Sequence, residues 1–190
     1  MFDLVNNAKN KIYIQSPYLI TTDLGLNLFE SAIRKGAEVH VLTNSLASTD
    51  NAEAFRGYQR SRKDLLQIGV NIYEYKPDAS IRKKLMKSEL QKNLDFVPIF
   101  GLHAKSMVVD GEIAVIGTFN LDPRSAHLNT ECLIIIHSIQ VASDMEHIMK
   151  EEQASQNAWT TTLEYNPDGQ ASFSKRFKAF TRRIVPKSIL

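Results

Sequence analysis

The first 75 residues alternate short β-rich runs with longer helix-like runs, and this alternation constrains the fold more than any other feature of the chain. Three of the runs favour strands, and two have the length and apolar spacing of amphipathic helices. In order, they are KIYIQS (11–16), DLGLNLFESAIRKG (23–36), AEVHVLT (37–43), TDNAEAFRGYQRSRKDLLQIG (49–69) and VNIYEY (70–75). Because strands joined through a helix pair in parallel, the pattern predicts a β-α-β-α-β unit.

Residues suited to helix ends stand at both ends of the two helix-like runs. Asp23, and either Thr49 or Asp50, can accept hydrogen bonds from the first N–H groups of the helices. Gly36 and Gly69 stand where a chain leaves a helix in the left-handed conformation. The end signals therefore agree with the apolar periodicity.

A β-hairpin is predicted after these units. The runs HAKSMVVD and EIAVIG flank Asp110 and Gly111, and Asp-Gly favours a type I′ turn because both central residues need positive φ. Residues 81–93 predict a surface helix or a basic loop, and VPIFG leads from there into a strand that begins near His103.

The remaining runs complete an α/β fold. Residues 131–137 predict another strand, and residues 139–155 predict a packed amphipathic helix. The apolar residues of that helix are Ile139, Ala142, Met145, Ile148 and Met149. We therefore expect a mixed, mostly parallel sheet sandwiched between helices in a single domain over 1–190, with a basic, Phe-rich C-terminal tail at 173–190.

The composition argues against several function classes. Cys132 is the only cysteine and the five histidines form no HExxH pair, so we expect no disulfide, no metal site and no cofactor. No apolar run approaches the ~20 residues of a membrane span, and the N-terminus has no secretion signal. The chain begins almost within its first element, which suggests either an excised piece of a longer protein or a chain in which Met1 is only a start codon.

Positive charge is concentrated in two regions, although the formal net charge is only +2. Residues 55–92 hold ten Lys or Arg against four Asp or Glu. The segment SFSKRFKAFTRRIVPK holds six basic residues and no acid. Its larger apolar residues are Phe173, Phe177, Phe180 and Ile184. Both regions predict contact with an anionic partner, unless they are only the solvated faces of helices.

Polar residues recur around the hairpin at a spacing of two. His103 and Lys105 would point to one side of a strand, because successive side chains alternate between faces. Thr118 and Asn120 follow the second hairpin strand and can lie beside the first pair. Glu131 opens the next strand, and a carboxylate there could fix the tautomer of an imidazole so that its other nitrogen stays free.

An isolated HxK pair has a simpler explanation, a core histidine beside a lysine whose ammonium reaches solvent. Four polar groups at one end of a hairpin favour a reactive site instead. Lys105 and Asn120 could then donate to the non-bridging oxygens of a tetrahedral anion, which is the stabilisation that phosphoryl transfer requires.

The pattern His103-x-Lys105-x4-Asp110-x6-Gly117-Thr118-x-Asn120 resembles the HKD motif of the phospholipase D superfamily. The stretches SPYLITTDLGLNLFESAIRKGAEVHVLTNSLASTD, YQRSRKDLLQIGVNIYEYKP and DPRSAHLNTE resemble the C-terminal half of bacterial cardiolipin synthases. The likeness covers nearly the whole chain. Thr118 stands where serine is commoner and keeps the hydroxyl.

The resemblance implies a metal-independent reaction with two histidines. In the family, the motif histidine of one half forms a covalent phosphohistidine, and that of the other half protonates the leaving alcohol and then activates water or a second alcohol. His103 would take one of these roles. Lys105 and Asn120 would bind phosphate oxygens with assistance from Thr118. Glu131 would orient His103.

Three further residues complete the candidate set. Asp110 belongs to the motif and counts among the catalytic candidates, although its place in the turn favours a structural role. Arg124 and His127 are candidates for substrate binding at the pocket rim. Structural roles are expected for His40, His137 and His147.

Family members usually carry two HKD motifs in one chain, and this sequence carries one. The chain could be the C-terminal half of a phosphatidyltransferase that works with a missing N-terminal half on phospholipids. It could be a single-motif nuclease or phosphodiesterase that completes its site as a homodimer on nucleic acid. It could also be an isolated half without activity. The first interpretation predicts a protein peripheral to the bacterial inner membrane, on its cytoplasmic side and in contact with anionic lipid.

Overall fold

The computed structural model describes residues 1–81, 84 and 101–181. Its strands are β1 (Lys11–Gln15), β2 (Glu38–Asn44), β3 (Asn71–Tyr75), β4 (Ser106–Val109), β5 (Ile113–Gly117), β6 (Leu133–His137) and β7 (Ala158–Thr161). Its helices are α1 (Phe2–Asn6), α2 (Asp23–Arg34), α3 (Ala52–Gln67), α4 (Pro123–His127), α5 (Ile139–Gln153) and α6 (Phe173–Thr181), with a 3₁₀ turn at Pro167–Gln170. Apart from residues 81 and 84, the predicted helix or loop at 81–93 lies outside the described residues.

The strands form a seven-stranded sheet in the order β6-β5-β4-β1-β2-β3-β7. The α/β class and the mixed sheet are confirmed, but the expectation that the sheet would be mostly parallel is wrong. Among the strands of the described residues, the parallel pairs are β1–β2 and β2–β3. The contacts β1–β4, β4–β5, β5–β6 and β3–β7 are antiparallel. The reason is that β4, β5 and β6 follow one another without a long helical crossover, which parallel pairing requires.

Helices cover both faces of this sheet, as the sequence predicts. α2 and α3 pack on the face that carries Ile12, Val39 and Ile72. α5 packs on the opposite face, against Tyr13 and Val108. Each strand of the centre is therefore buried on both sides, which explains its nearly continuous apolar sequence.

The helix ends lie within a residue or two of the predicted positions. The Thr22 hydroxyl accepts from the N–H three residues on, at 3.1 Å, and the Asn51 side chain does the same for α3 at 2.9 Å. Gly36 and Gly69 have φ values of +101° and +97°, as expected for the residue after a helix. The predicted caps are wrong by one or two positions: Asp23, Thr49 and Asp50.

The hairpin turn forms as predicted. Asp110 and Gly111 have φ values of 54° and 68°, and the Glu112 N–H donates to the Val109 carbonyl at 3.0 Å. The Asp110 carboxylate also accepts three backbone N–H groups at 2.8–3.0 Å, from Lys9, Asn10 and Lys11. Asp110 therefore ties the tip of the hairpin to the start of β1.

Substitution Asp110→Ala is expected to lower the free energy of unfolding by about 1–3 kcal/mol, because three N–H groups lose a charged acceptor and alanine disfavours positive φ. Asp110→Asn is the matched control. It keeps one acceptor and tolerates the left-handed conformation, so it should lose less. Urea unfolding of the three proteins measures the difference, and equal midpoints for all three would contradict this role.

The apolar residues of α5 and β6 are less buried than the sequence predicts. Ala142 and Met149 of α5 are buried, but Ile139 and Ile148 are exposed. In the edge strand β6, three consecutive residues are exposed: Leu133, Ile134 and Ile135. An exposed apolar edge strand is a surface that proteins usually cover.

Part of the predicted basic tail is a helix. α6 covers Phe173–Thr181 and packs on α3, while residues 182–190 lie outside the described part of the chain. Among the helices described here, none has the length and apolar character to cross a bilayer.

Candidate active site

His103 and Lys105 lie in an extended segment just before β4, slightly earlier than the strand that was predicted to hold them. Lys105 lines a pocket together with Ser106 and Met107, the first two residues of β4. The Asn44 side chain fixes this segment through two hydrogen bonds with the backbone of Leu102, at 2.8 and 2.9 Å. The structure thus places the pair on a chain that is anchored to the end of β2.

The two side chains are in direct contact. Lys105 Nζ lies 3.1 Å from His103 Nε2 and donates to the His103 carbonyl at 2.9 Å. Because an ammonium group has only donors, Nε2 must accept, and the ring hydrogen of the neutral imidazole is then on Nδ1. Burial lowers the pKa of Lys105, and the nearby carboxylates of Glu131, Asp122 and Asp50 oppose that shift. An exposed imidazole lone pair therefore lies beside a half-buried cation.

Thr118 and Asn120 follow β5, next to the segment that holds the pair. The Gly117 N–H donates to the Lys105 carbonyl at 3.0 Å, which brings the end of β5 beside Lys105. The Asn120 N–H donates to the Ser125 hydroxyl at 3.2 Å. The buried Asn120 Oδ1 has no hydrogen-bond partner within the described residues. The Asn120 backbone is therefore fixed beside Lys105, and only the Nδ2 hydrogens of its amide could donate to an anion.

Glu131 does not contact His103, contrary to the expectation that it would orient this histidine. Its carboxylate accepts from the Thr118 hydroxyl and from Asn129, the latter at 3.2 Å. The Thr118 hydroxyl in turn accepts from the Cys132 N–H at 3.0 Å. The bond from Thr118 is the largest cause of the lowered pKa of Glu131. The reason for the difference is topological, because β5 and its Thr118 stand between β6 and the segment with His103.

The remaining candidate residues are Asp110, Arg124 and His127. Asp110 lies at the opposite end of β4 from His103 and bonds only backbone N–H groups near β1. Its geometry is that of a structural residue, and the structure does not bring it into the site. Arg124 and His127 lie exposed on α4, which begins three residues after Asn120.

An apolar pocket opens beside Lys105, between the sheet and helices α1 and α2. Its volume is about 90 Å³, and its wall includes Ile14, Leu28, Met107, Val115 and Phe119. The pocket therefore places an apolar space, which favours hydrocarbon groups, beside the Lys105 cation. The sequence could not reveal it, because these residues come from segments that are far apart in the chain.

Behind the site lies a buried polar chain that sequence reasoning missed. The Ser106 hydroxyl donates to Gln15 Oε1 at 2.7 Å, and Gln15 Nε2 donates to the Glu152 carboxylate. Tyr75 also donates to Glu152, at 3.4 Å. Burial raises the pKa of Glu152 to about 7. The only signal was an acid at the end of an amphipathic helix, which usually lies in solvent.

This pKa predicts a pH-dependent stability. Since the Glu152 pKa is higher in the folded chain than in the unfolded chain, the folded state binds more protons between pH ~4.5 and ~7, and stability falls as pH rises through that range. The expected loss is of the order of 2–3 kcal/mol by pH 8. In Glu152→Gln this component of the pH dependence should disappear. Urea unfolding from pH 4.5 to 8 tests it, and parallel curves for both proteins would contradict it.

The fold and the paired side chains define the class. Residues 1–152 match the family described as "Cardiolipin synthase, PLD-like domain", and the chain belongs to this family. Within it, the chain is 37% identical over 166 residues to cardiolipin synthase C of Escherichia coli K12. The alignment covers 86% of this chain and 34% of that protein, so the chain spans about a third of this relative. The resemblance predicted from the motif is confirmed.

Solved structures show the same fold at low sequence identity. Phosphatidylserine synthase from Haemophilus influenzae has a TM-score of 0.65 at 15% identity, with 100% of this chain and 44% of that chain covered. Nuc from Salmonella typhimurium, a phospholipase D family member, has a TM-score of 0.60 at 15% identity, with 85% and 88% covered. The layered sheet is therefore the fold of these two proteins.

Proposed function

We propose that this chain is one half of a phosphatidyltransferase that acts through a phosphohistidine and takes its second motif from another domain. One observation carries the proposal: Nε2 of the exposed His103 lies 3.1 Å from the ammonium of Lys105, a residue that also lines an apolar pocket. The Nε2 lone pair becomes available as a nucleophile when the Lys105 ammonium turns from the ring to hold a phosphate oxygen.

The proposed reaction needs two histidines. Acting as the nucleophile, one Nε2 forms an N–P bond while the P–O bond to the leaving alcohol breaks, and the second histidine gives that alcohol a proton. The same second histidine then removes a proton from the acceptor alcohol, whose oxygen attacks phosphorus and breaks the N–P bond. His103 takes one of these roles. Lys105 and the Asn120 amide hold the non-bridging oxygens.

The remaining site residues act around this centre. The Glu131 carboxylate accepts a hydrogen bond from the Thr118 hydroxyl and orients the site through that residue. It does not act through a direct bond to His103. Thr118 assists the phosphate site from the same position. Arg124 and His127, exposed on α4, are available to a substrate head group at the rim.

The second motif comes from a partner that covers the apolar edge of the sheet. Leu133, Ile134 and Ile135 are exposed on β6, whose first residues adjoin Glu131 and Thr118. Burying this edge stabilises an assembly and excludes water beside the site. The partner is the missing N-terminal half, and a second copy of this chain is the alternative.

Phospholipids are the substrates that suit this site. The pocket beside Lys105 is apolar, and cardiolipin synthase is the name of the relative that is 37% identical. The acceptor is then a lipid that carries a glycerol hydroxyl. We place the enzyme at the cytoplasmic surface of the bacterial inner membrane, as a peripheral protein.

The test is to assemble the chain with a domain carrying the other HxKxxxxD motif and to assay two substrates in parallel. Phosphatidyl transfer between phospholipids without added metal is expected. Metal-independent DNA cleavage by a homodimer of this chain, with no lipid transfer, would overturn the proposal and support the nuclease alternative.

A further inference from the structure

The aromatic residues of α6 lie on the outside of the protein. Phe173, Phe177 and Phe180 are 76%, 59% and 60% exposed. Their spacing of four and three residues places them on one side of the helix. The rings of Phe173 and Phe177 are stacked, with centroids 6.4 Å apart. These residues form a continuous apolar surface, which we call the Phe face.

The Phe face is not the result of a loosely attached helix. On the other side of α6, Ala179 is buried in the main core. Lys175 Nζ donates to the carbonyls of Ala47 at 2.6 Å and Thr49 at 3.0 Å. The helix is therefore held in an orientation that turns the rings of Phe173 and Phe177 to solvent, and such a surface usually has a binding partner.

The charges around the Phe face identify that partner. Arg176 and Lys178 are exposed on either side of it, and α6 contains no acidic residue. An apolar face bordered by basic residues is the pattern of a helix that lies in the interface of an anionic bilayer. Stacked phenyl rings that already contact one another offer fewer free faces to bases, so nucleic acid fits this surface less well.

The same contacts connect the Phe face to the candidate active site. The loop that accepts from Lys175 includes Ser48, whose hydroxyl donates to Asn44 Oδ1 at 3.2 Å. Asn44 is the residue that holds Leu102, immediately before His103. The carboxylate of Asp50 acts on both Lys175 and Lys105. α6 therefore lies at the end of the sheet where the site opens.

We propose that the Phe face binds an anionic phospholipid bilayer and holds the candidate active site against the lipid surface. Lipid as the substrate rests on the proposed function, whereas the surface contact rests on α6 alone. The full chain can therefore be tested without turnover, and failure of one proposal leaves the other standing.

Sedimentation with vesicles of phosphatidylglycerol and phosphatidylcholine measures this binding. Phe173→Ser combined with Phe177→Ser should weaken partitioning by about tenfold or more, because two exposed rings are lost. The matched control is Ile139→Ser combined with Ile148→Ser, which removes two exposed apolar side chains from α5 on the opposite face of the sheet. This control should bind like the unaltered chain. Arg176→Gln combined with Lys178→Gln should reduce the preference for anionic over pure phosphatidylcholine vesicles.

A second measurement detects the insertion directly. Phe177→Trp in a Trp159→Phe background keeps the face and leaves one tryptophan in the chain. Its fluorescence should shift to the blue on vesicles and be quenched by brominated lipids. Unchanged emission, or equal vesicle binding by the Phe173→Ser/Phe177→Ser protein and its control, would overturn the proposal. So would loss of self-association or of DNA binding in the Phe variant without loss of vesicle binding, because the face would then serve protein or nucleic acid.

Discussion

Replacing His103 by alanine in the assembled enzyme is expected to reduce phosphodiester transfer by at least about a thousandfold, as removal of a nucleophile or its acid–base partner does in other enzymes. The histidine is exposed, and the hydrogen bonds that it makes within the described residues are those with Lys105. The fold should therefore be unaffected, and the loss should appear in the chemical step.

The control for this substitution is His147→Ala. His147 is also exposed but lies on α5, which packs on the opposite face of the sheet from α2. Its removal should leave transfer within about twofold, as expected for a surface residue away from the chemistry. Transfer that survives His103→Ala at a comparable rate would exclude both roles proposed for this histidine.

The second large effect concerns stability and arises far from the site. Glu74 is fully buried on β3. Arg62 of α3 donates to Glu74 at 3.0 Å and makes two bonds to Asp168 at 2.8 and 2.9 Å. Glu74 also accepts from Tyr58 at 2.8 Å and from Thr161 at 2.9 Å. Arg62 therefore neutralises a buried carboxylate and joins α3 to β3 and the 3₁₀ turn.

Arg62→Met is expected to lower the free energy of unfolding by about 3–5 kcal/mol, because it leaves the Glu74 charge buried without its cation. That is a large part of the ~5–15 kcal/mol that stabilises a typical domain. Lys63→Met, at the exposed neighbouring position, is the control and should change stability by no more than about 0.5 kcal/mol. Restoring stability with Glu74→Gln in the Arg62→Met background would identify the charge as the cause, and an Arg62→Met loss below about 1 kcal/mol would contradict this account.

The sequence predicted the strands and helices well because their periodicity is local. β1, α2, α3 and β3 lie inside the predicted runs, and β2 extends one residue beyond its run, to Asn44. The caps differ by one or two positions because Thr22 and Asn51 are chemically equivalent to the predicted neighbours, and only the backbone conformation selects between them. The share of parallel strand pairs in the sheet was overestimated. One reason is that β7 pairs antiparallel with β3 through a long-range contact, which has no local signal in the sequence.

The site was predictable where it follows from alternation along one segment. His103 and Lys105 were expected to point the same way, and they are in contact at 3.1 Å. The hydrogen-bond partner of Glu131 was not predictable, because it depends on the order of the strands in the sheet. β5 lies between β6 and β4, so Thr118 and not His103 is next to Glu131. The Gln15–Glu152 contact joins residues 137 positions apart and likewise has no signature in the sequence.

The most direct test of the central claim is reconstitution of the two-histidine site. This chain and a domain carrying the other motif are assayed separately and together for transfer of a labelled phosphatidyl group. The account predicts no transfer by either alone, transfer by the mixture that saturates at equal amounts of the two, and none when the chain carries His103→Ala. Transfer by the monomeric chain alone, or by the mixture with His103→Ala, would contradict it.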